Sequence, residues 1–350
     1  MSEMKPVYRF VVVLYMLTAA SLCYAGRSRK VEVVKHLNRL NKRPVKSIES
    51  PDGDIIDCVR ISHQPAFDHP FLKNHTIKET MTQLWNSYGK CPKGTIPVRR
   101  TKKEDVLRAS SVKRYGKKSS STFAQLNSID PDLINQNGHQ HAIAYAQGEF
   151  YGAKATMNVS PDLYGDNNTR LFIYWTSDAY QATGCYNLLC SGFIQTNNEI
   201  ALGGSISPIS QFDGSQYDIT ILIWKDPDEG NWWMQFGNGK VLGYWPATLF
   251  SYLTESASLI EWGGEVVNTA SDGQHTTTQM GSGQFPQEGF SKASYFRNIQ
   301  IVDESNSLRD PKDLNTFSEQ PNCYDVKTDS NGKWGSHFYY GGPGRNPNCP

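Results

Sequence analysis

The sequence predicts an all-β protein, a two-sheet antiparallel β-sandwich preceded by a small basic pro-region, and three observations predict it. Residues 138–350 alternate apolar and polar side chains in short runs between turn residues, without a strand–helix–strand rhythm. The chain carries 29 Gly and 18 Pro, and its mean hydropathy is -0.53, a loop-rich composition unlike that of a helical bundle. Five of the eight tryptophans fall between Trp224 and Val267, beside a run of glycines. In and just before that stretch, Tyr217–Ile221, Asn231–Phe236 and Lys240–Trp245 read as strands. They are joined at Asp-Pro-Asp-Glu-Gly and Gly-Asn-Gly, where Gly and Asn accept positive φ.

From the start, Lys5 and Arg9 precede the apolar run Phe10–Ala20, and Cys23-Tyr24-Ala25 offers small residues to a signal peptidase. Residues 1–25 are therefore expected to be a secretory signal, with no stable membrane anchor and an extracellular mature protein. Six cysteines then remain: Cys58, Cys91, Cys185, Cys190, Cys323 and Cys349. In an exported chain they suggest three disulfides; locality favours 58–91, 185–190 and 323–349, while spacing leaves other pairings open. The sequons at Asn74, Asn158 and Asn167 are candidate glycosylation sites for the same compartment.

Charge divides the chain. Residues 26–137 hold 22 Lys and Arg against 11 acids, and residues 138–350 hold the reverse, 11 against 22. Opposite fields of equal size favour docking of one part on the other, so the basic pro-region is expected as a partner in cis. Nucleic acid is not expected as a partner, since export removes the chain from it and no binding motif is present. Residues 26–100 form the pro-region. Within it, Val34, Leu37 and Leu40 recur at helical spacing over 31–42, and that helix is expected to dock on the partner domain. Ile55-Ile56 reads as a short strand after a Pro51-Asp-Gly turn, and His63, His69 and His75 as surface histidines. Residues 101–137, rich in Lys and Ser, are expected to be a flexible linker with a possible processing site.

Past Gly138, His139–Ala146 alternates as a strand, and His139 and His141 share one of its faces. Two histidines alone do not make a metal site, and no cofactor is expected. Leu171–Thr176, Gly192–Thr196 and Gly289–Val302 read as further strands, and Pro246–Leu259 as a short helix. No serine elbow, zinc-binding HExxH, P-loop or dinucleotide fingerprint occurs. What stands out is acids near tryptophan and glycine: Asp226, Glu229, Glu261 and Glu265. Glu265 lies in Trp262-Gly-Gly-Glu-Val-Val; facing a glycine-lined groove, its pKa is expected to rise, as general acid–base work needs. Carboxylate hydrolysis takes two such groups, and Glu261, on the same face, sits about 13 Å away at strand spacing.

These residues resemble the plant neprosin family, secreted glutamic peptidases with an N-terminal activation region. The resemblance runs through KHLNRLNKRPVKSIESPDGDIIDCV and CPKGTIPVRR in the pro-region. It continues through HAIAY, YGAKATMNV, LYGDNNTRLFIYWTSDAYQATGCYNLLCSGFIQ, WGGEVVN, GSGQFPQEGFSKASYFRNIQ and the YYGGPGRNPNCP tail, covering most of 138–350. It implies a β-sandwich (lectin-like or glutamic-peptidase-like) that hydrolyses peptide bonds beside proline in proline-rich peptides or proteins, using two glutamates. The second glutamate falls on Glu265. The first belongs to an SIEAGW-like segment that would lie between Val159 and Ser160, where this chain runs straight on. The dyad is thus incomplete here, with Glu149 the nearest upstream acid. Three accounts remain open: a peptidase of this family, a non-catalytic secreted sandwich that binds peptide or cell-wall glycan, or an enzyme whole in life whose gene model has lost the segment at Val159–Ser160.

Overall fold

The computed structural model describes residues 29–68, 83–118, 138–159, 168–178, 182–237, 239–268, 273–329 and 334–350. The sequons at Asn74 and Asn167, together with His69, His75, residues 1–28 (including the expected signal) and residues 119–137, lie outside them.

Strands dominate, and every ladder is antiparallel. Among the described residues there are four sheets rather than the expected two. In the pro-region, β1 (Lys46–Glu49), β2 (Ile55–Arg60) and β3 (Thr95–Arg99) form a three-stranded sheet. Its small core of Ile48, Ile56 and Trp85 is tied by the Cys58–Cys91 disulfide. Beyond Gly138, β4 (His139–Phe150) runs on through one residue into β5 (Gly152–Asn158). A two-stranded piece comes next, β6 (Tyr174–Trp175) with β7 (Cys185–Tyr186), closed by the Cys185–Cys190 disulfide. Then come β8 (Ile194–Gln195), β9 (Asp218–Lys225), β10 (Trp232–Phe236), β11 (Lys240–Trp245) and β12 (Ala257–Val267). The chain ends with β13 (Ser294–Val302), β14 (Leu308–Arg309), β15 (Asn315–Ser318), β16 (Asp325–Asp329) and β17 (His337–Gly341).

The large sheet has nine strands in the order β16-β17-β13-β5-β9-β10-β11-β8, with β14 on β13. A three-stranded sheet, β12-β4-β15, packs over part of it. Between them Ala142, Ala144 and Ala146 of β4 and Trp262 and Val266 of β12 meet Phe296, Ile299, Phe338 and Tyr340. Alternation explains the choice: every second β4 residue is a small alanine that admits the rings opposite. The Cys323–Cys349 disulfide joins the C-terminal tail to the same core.

The other half of the large sheet packs through Trp232, Met234, Phe236, Leu242 and Trp245, and its cluster takes in Leu171, Ile173, Phe193 and the pro-region's Ile96. The pro-region therefore shares a core with the domain beyond Gly138. Polar contacts also cross the boundary: Gln64 and Gln195 exchange hydrogen bonds, Gln64 Nε2 donating to the Gln195 carbonyl and Gln195 N–H to Gln64 Oε1. Asp54, from the turn before β2, forms a buried ion pair with Arg170 and accepts a second bond from Arg99 Nε at 3.0 Å. This pair runs against the charge split, since the acid comes from the basic part.

Four expectations need correction. The helix over 29–40 (α1) exists, but it buries Val33 with Leu37 beside it and leaves Val34 exposed. It docks on Val106, Val112 and Tyr115 of the pro-region's own tail, not on the partner domain. The stretch expected as a linker is ordered from 101 to 118, because α2 (Lys103–Arg108) covers α1 and Asp105 caps it, accepting from Lys102 N–H. Between Pro246 and Leu259 a single 3-10 turn, Ala247–Leu249, replaces the short helix, and β12 begins at Ala257. Asn158 is buried; its amide donates to Ser210 Oγ at 2.8 Å and to Gln216 Oε1 at 3.2 Å, so the folded chain offers no room for a glycan there.

Removing one member of a buried ion pair strands the other. Asp54→Ala is expected to lower the urea-unfolding free energy of the full chain by about 3–5 kcal/mol. A loss of under about 1 kcal/mol would show that the pair does not pin the two parts together.

Candidate active site

Glu265 lies near the end of β12, and its position follows from register. Glu265 is level with His141, Gly263 with Ile143 and Val267 with His139. Trp262 and Val266 turn into the core, so Glu265, Gly263 and Glu261 present the opposite face. The two glycines before Glu265 are required by crowding. Gly263 has φ +152, and a Cβ there would lie 2.3 Å from the Ala142 carbonyl oxygen. A Cβ on Gly264 would lie 2.6 Å from Met280 Sδ.

Three charged or titratable side chains gather around Glu265, which keeps about a third of its side chain exposed. His139 Nδ1 is 2.7 Å from Oε1, and His141 Nε2 is 3.6 Å from the same oxygen. Lys118 Nζ donates to Oε1 at 2.7 Å and to Oε2 at 2.6 Å. Lys118 arrives on the tail of the pro-region, which is pinned nearby: Gly116 accepts from Tyr186 N–H at 2.9 Å, and Lys117 Nζ donates to the Ala182 carbonyl at 3.1 Å. Behind His141 stands Glu319, just past β15, with only 2% of its side chain exposed. It accepts from His141 N–H at 2.5 Å and lies 2.8 Å from His141 Nδ1.

This environment reverses the expected shift at Glu265. Burial works against its charge, but the His139 hydrogen bond, the His141 ring 3.6 Å away and the Lys118 ammonium outweigh it and hold the carboxyl far below the ordinary range. The carboxyl that burial does push up is Glu261. Burial also opposes charge on His141, yet the nearby Glu265 carboxylate and the hydrogen-bonded Glu319 raise it to about 9. As it stands, Glu265 is an ionised carboxylate clamped by cations, able to accept a proton once Lys118 withdraws.

The other acids singled out in the sequence are placed elsewhere. Asp226 and Glu229 close the turn between β9 and β10: Asp226 accepts from the N–H groups of Asp228 and Glu229, and Glu229 from Asn231 Nδ2. Glu149 lies at the opposite end of β4, eight residues from His141 or about 27 Å at strand rise, and accepts from Tyr151 Oη. It cannot replace the first glutamate. Val159 is the last described residue before the proposed gap, with its N–H bonded to the Tyr217 carbonyl and its own carbonyl accepting from Ser210. Reasoning from sequence missed Lys118 and Glu319, one within a run of lysines and the other in an unpatterned turn. It did place His139 and His141 on one face, though as a discounted metal pair. His275, Cys323 and Cys349 come together as three potential metal ligands, but the two sulfurs are bonded to each other.

Fold and site define an antiparallel β protein whose N-terminal region covers its own carboxylate centre. Residues 135–343 match the family model described as Neprosin, and residues 47–145 match that described as Neprosin activation peptide. The first match spans more than half of the chain, which belongs to the neprosin family.

The shifts carry opposite pH signatures. The His141 pKa is raised in the folded state, so its stabilisation is full below about 6.5 and is lost as pH climbs through about 9. The Glu265 pKa is depressed, so its stabilisation is present above about 4.5 and fades only as pH falls well below that. Unfolding free energies measured from pH 6 to 10 should therefore decline for the native chain and stay flatter for His141→Gln. Parallel curves would contradict the His141 assignment.

Proposed function

We propose that this chain is the zymogen of a secreted neprosin-type glutamic endopeptidase, with Glu265 as its surviving catalytic glutamate and its own pro-region as the bound inhibitor. One observation carries the reading: Lys118, in the segment matched as activation peptide, places its ammonium on both oxygens of the glutamate that the resemblance assigns to catalysis. A carboxylate so paired cannot hold a water for attack, so the described state is a latent one. The substrate is a peptide or protein, cleaved beside proline. Residues 1–25 direct export, Asn74 and Asn167 carry glycans, and a cut within 119–137 frees the mature domain 138–350. No cofactor takes part.

The SIEAGW-like segment is absent between Val159 and Ser160, and with it the first glutamate. One carboxylate does not supply both a protonated and an ionised member, so turnover falls far below that of a complete dyad. Transcript sequencing across the Val159–Ser160 codons decides whether the short form is real. A second reading, a non-catalytic sandwich that binds cell-wall glycan or peptide, is favoured by the exposed ring of Phe290 5.2 Å from the half-buried Trp334, which is backed by the buried Tyr295 4.8 Å away.

Three measurements test the peptidase reading. Mass spectrometry of the secreted, acid-treated protein should show cleavage between residues 119 and 137; a chain that stays whole under added protease removes the zymogen assignment. Lys118→Ala should speed the appearance of cleavage of a proline-containing peptide by about tenfold, the equivalent of roughly 1.4 kcal/mol. In a protein with the missing segment restored, activity should rise, and Glu265→Gln should abolish it. Undiminished activity of that variant would remove Glu265 from the mechanism.

A further inference from the structure

We propose that Glu319 is a positioning residue of this site: it orients the His141 ring so that Nε2 faces Glu265, which makes His141 the partner proton carrier of Glu265 in this chain. The second half of the statement rests on the peptidase reading; the first does not.

Topology alone sets the three residues in a row. β4 is the central strand of its sheet, with β12 on one side and β15 on the other. Glu265 is level with His141 across β12–β4. The β15–β4 register ends with Ser318 level with Ala142, and one further step brings Glu319 level with His141. Cross-strand neighbours on one face lie within reach of one another, so His141 is flanked by an acid from each adjoining strand. The contacts agree. Glu319 meets both the His141 N–H and Nδ1, while Nε2 is left toward Glu265.

Burial distinguishes the two acids. A carboxylate as enclosed as Glu319 is costly unless it is paired and hydrogen-bonded, and the partner it has is His141. The bond at Nδ1 places a proton there, as in any carboxylate-oriented imidazole that must act through its other nitrogen. The groups facing His141 are Glu265 and Glu261 from β12, Glu319 from beyond β15, and Lys118 and His139 near Glu265. With carboxylates on both sides, a second proton at Nε2 is favoured.

A carboxylate dyad divides one proton between two acids. Here the division is between unlike groups, with Glu265 ionised and His141 charged. After Lys118 leaves, a water bound at Glu265 loses a proton to the carboxylate as its oxygen bonds to the scissile carbonyl carbon. When the C–N bond breaks, His141 Nε2 gives its proton to the departing nitrogen. The Glu265 proton then returns to His141, and the site is reset with one water consumed and no oxidant or metal required. This arrangement predicts activity reaching to higher pH than a pair of carboxylic acids would allow.

The test uses the full chain labelled at histidine, with the His141 resonances assigned by their loss in His141→Gln. Its titration midpoint should lie well above that of an ordinary histidine. Glu319→Gln, which keeps the shape and removes the charge, should lower it by at least about one pH unit, the equivalent of about 1.4 kcal/mol. Glu319→Asp, used also if the Gln variant fails to fold, should give a smaller fall. An ordinary midpoint in the native chain, or one that does not move in either variant, overturns the positioning role; a purely structural Glu319 would lower thermal stability without this shift. In the processed protein, the alkaline limb of Glu265-dependent peptide cleavage should move down with the His141 midpoint. A limb that stays in place overturns the proton-carrier role. Complete absence of Glu265-dependent cleavage overturns both that role and the peptidase reading, while the titration still decides the positioning of His141.

Discussion

From Val267 opposite His139 to Leu259 opposite Gln147, the β12–β4 ladder holds the two strands in one register, which shifts only beyond that, before Ala257 opposite Phe150. Because side chains alternate, a slip of one residue would turn Glu265, His139 and His141 into the core and bring Trp262 and the β4 alanines out. The apolar face thus fixes the charged one. Ala142, Ala144 and Ala146 packed beneath Trp262 cannot trade places with the histidines without burying unpaired polar groups. The carboxylate centre follows from that packing.

Placed in this way, Glu265 would be an isolated, half-buried acid with a raised pKa were its neighbours neutral. Instead each element around it contributes a proton donor: β4 two imidazoles and the pro-region tail an ammonium. Position and charge state have different origins. Packing decides where Glu265 sits, and cations from elsewhere in the chain decide that it is ionised. Lys118 belongs to the segment that ends the pro-region, so the charge state of Glu265 depends in part on a side chain from outside its own sheet.

The pro-region is more deeply built in than a tethered inhibitor would be. Ile96 enters the same apolar cluster as Leu171 and Phe193, and Asp54 sinks into an ion pair with Arg170. Separating the pro-region would uncover apolar surface and take the Asp54 carboxylate from the buried Arg170 guanidinium, both unfavourable. That opposes spontaneous dissociation. The net charge asymmetry between the two parts contributes at Lys118–Glu265 and is reversed at Asp54–Arg170, so local pairing, not overall charge, sets the contact.

Much of the fold was legible in the sequence because it depends on local pattern. The alternation in β4 and β9–β11, the turns between them and the shared face of His139 and His141 are properties of neighbours in the chain. The motif Trp262-Gly-Gly-Glu265 likewise announced an acid beside crowded glycines. The structure had to supply what depends on distant residues. Val33 rather than Val34 is buried because α2 approaches from that side. The sign of the Glu265 shift was misread because donors brought up by the fold outweigh burial: His139 and His141 from the neighbouring strand, and Lys118, 147 residues away in sequence. Glu319, 178 residues from His141, had no local signature, since its importance comes wholly from lying level with His141 across β15 and β4. Sequence determined which strands form and which face each residue takes; only the tertiary fold decided which strands are neighbours, and electrostatics at a site is set by neighbours in space.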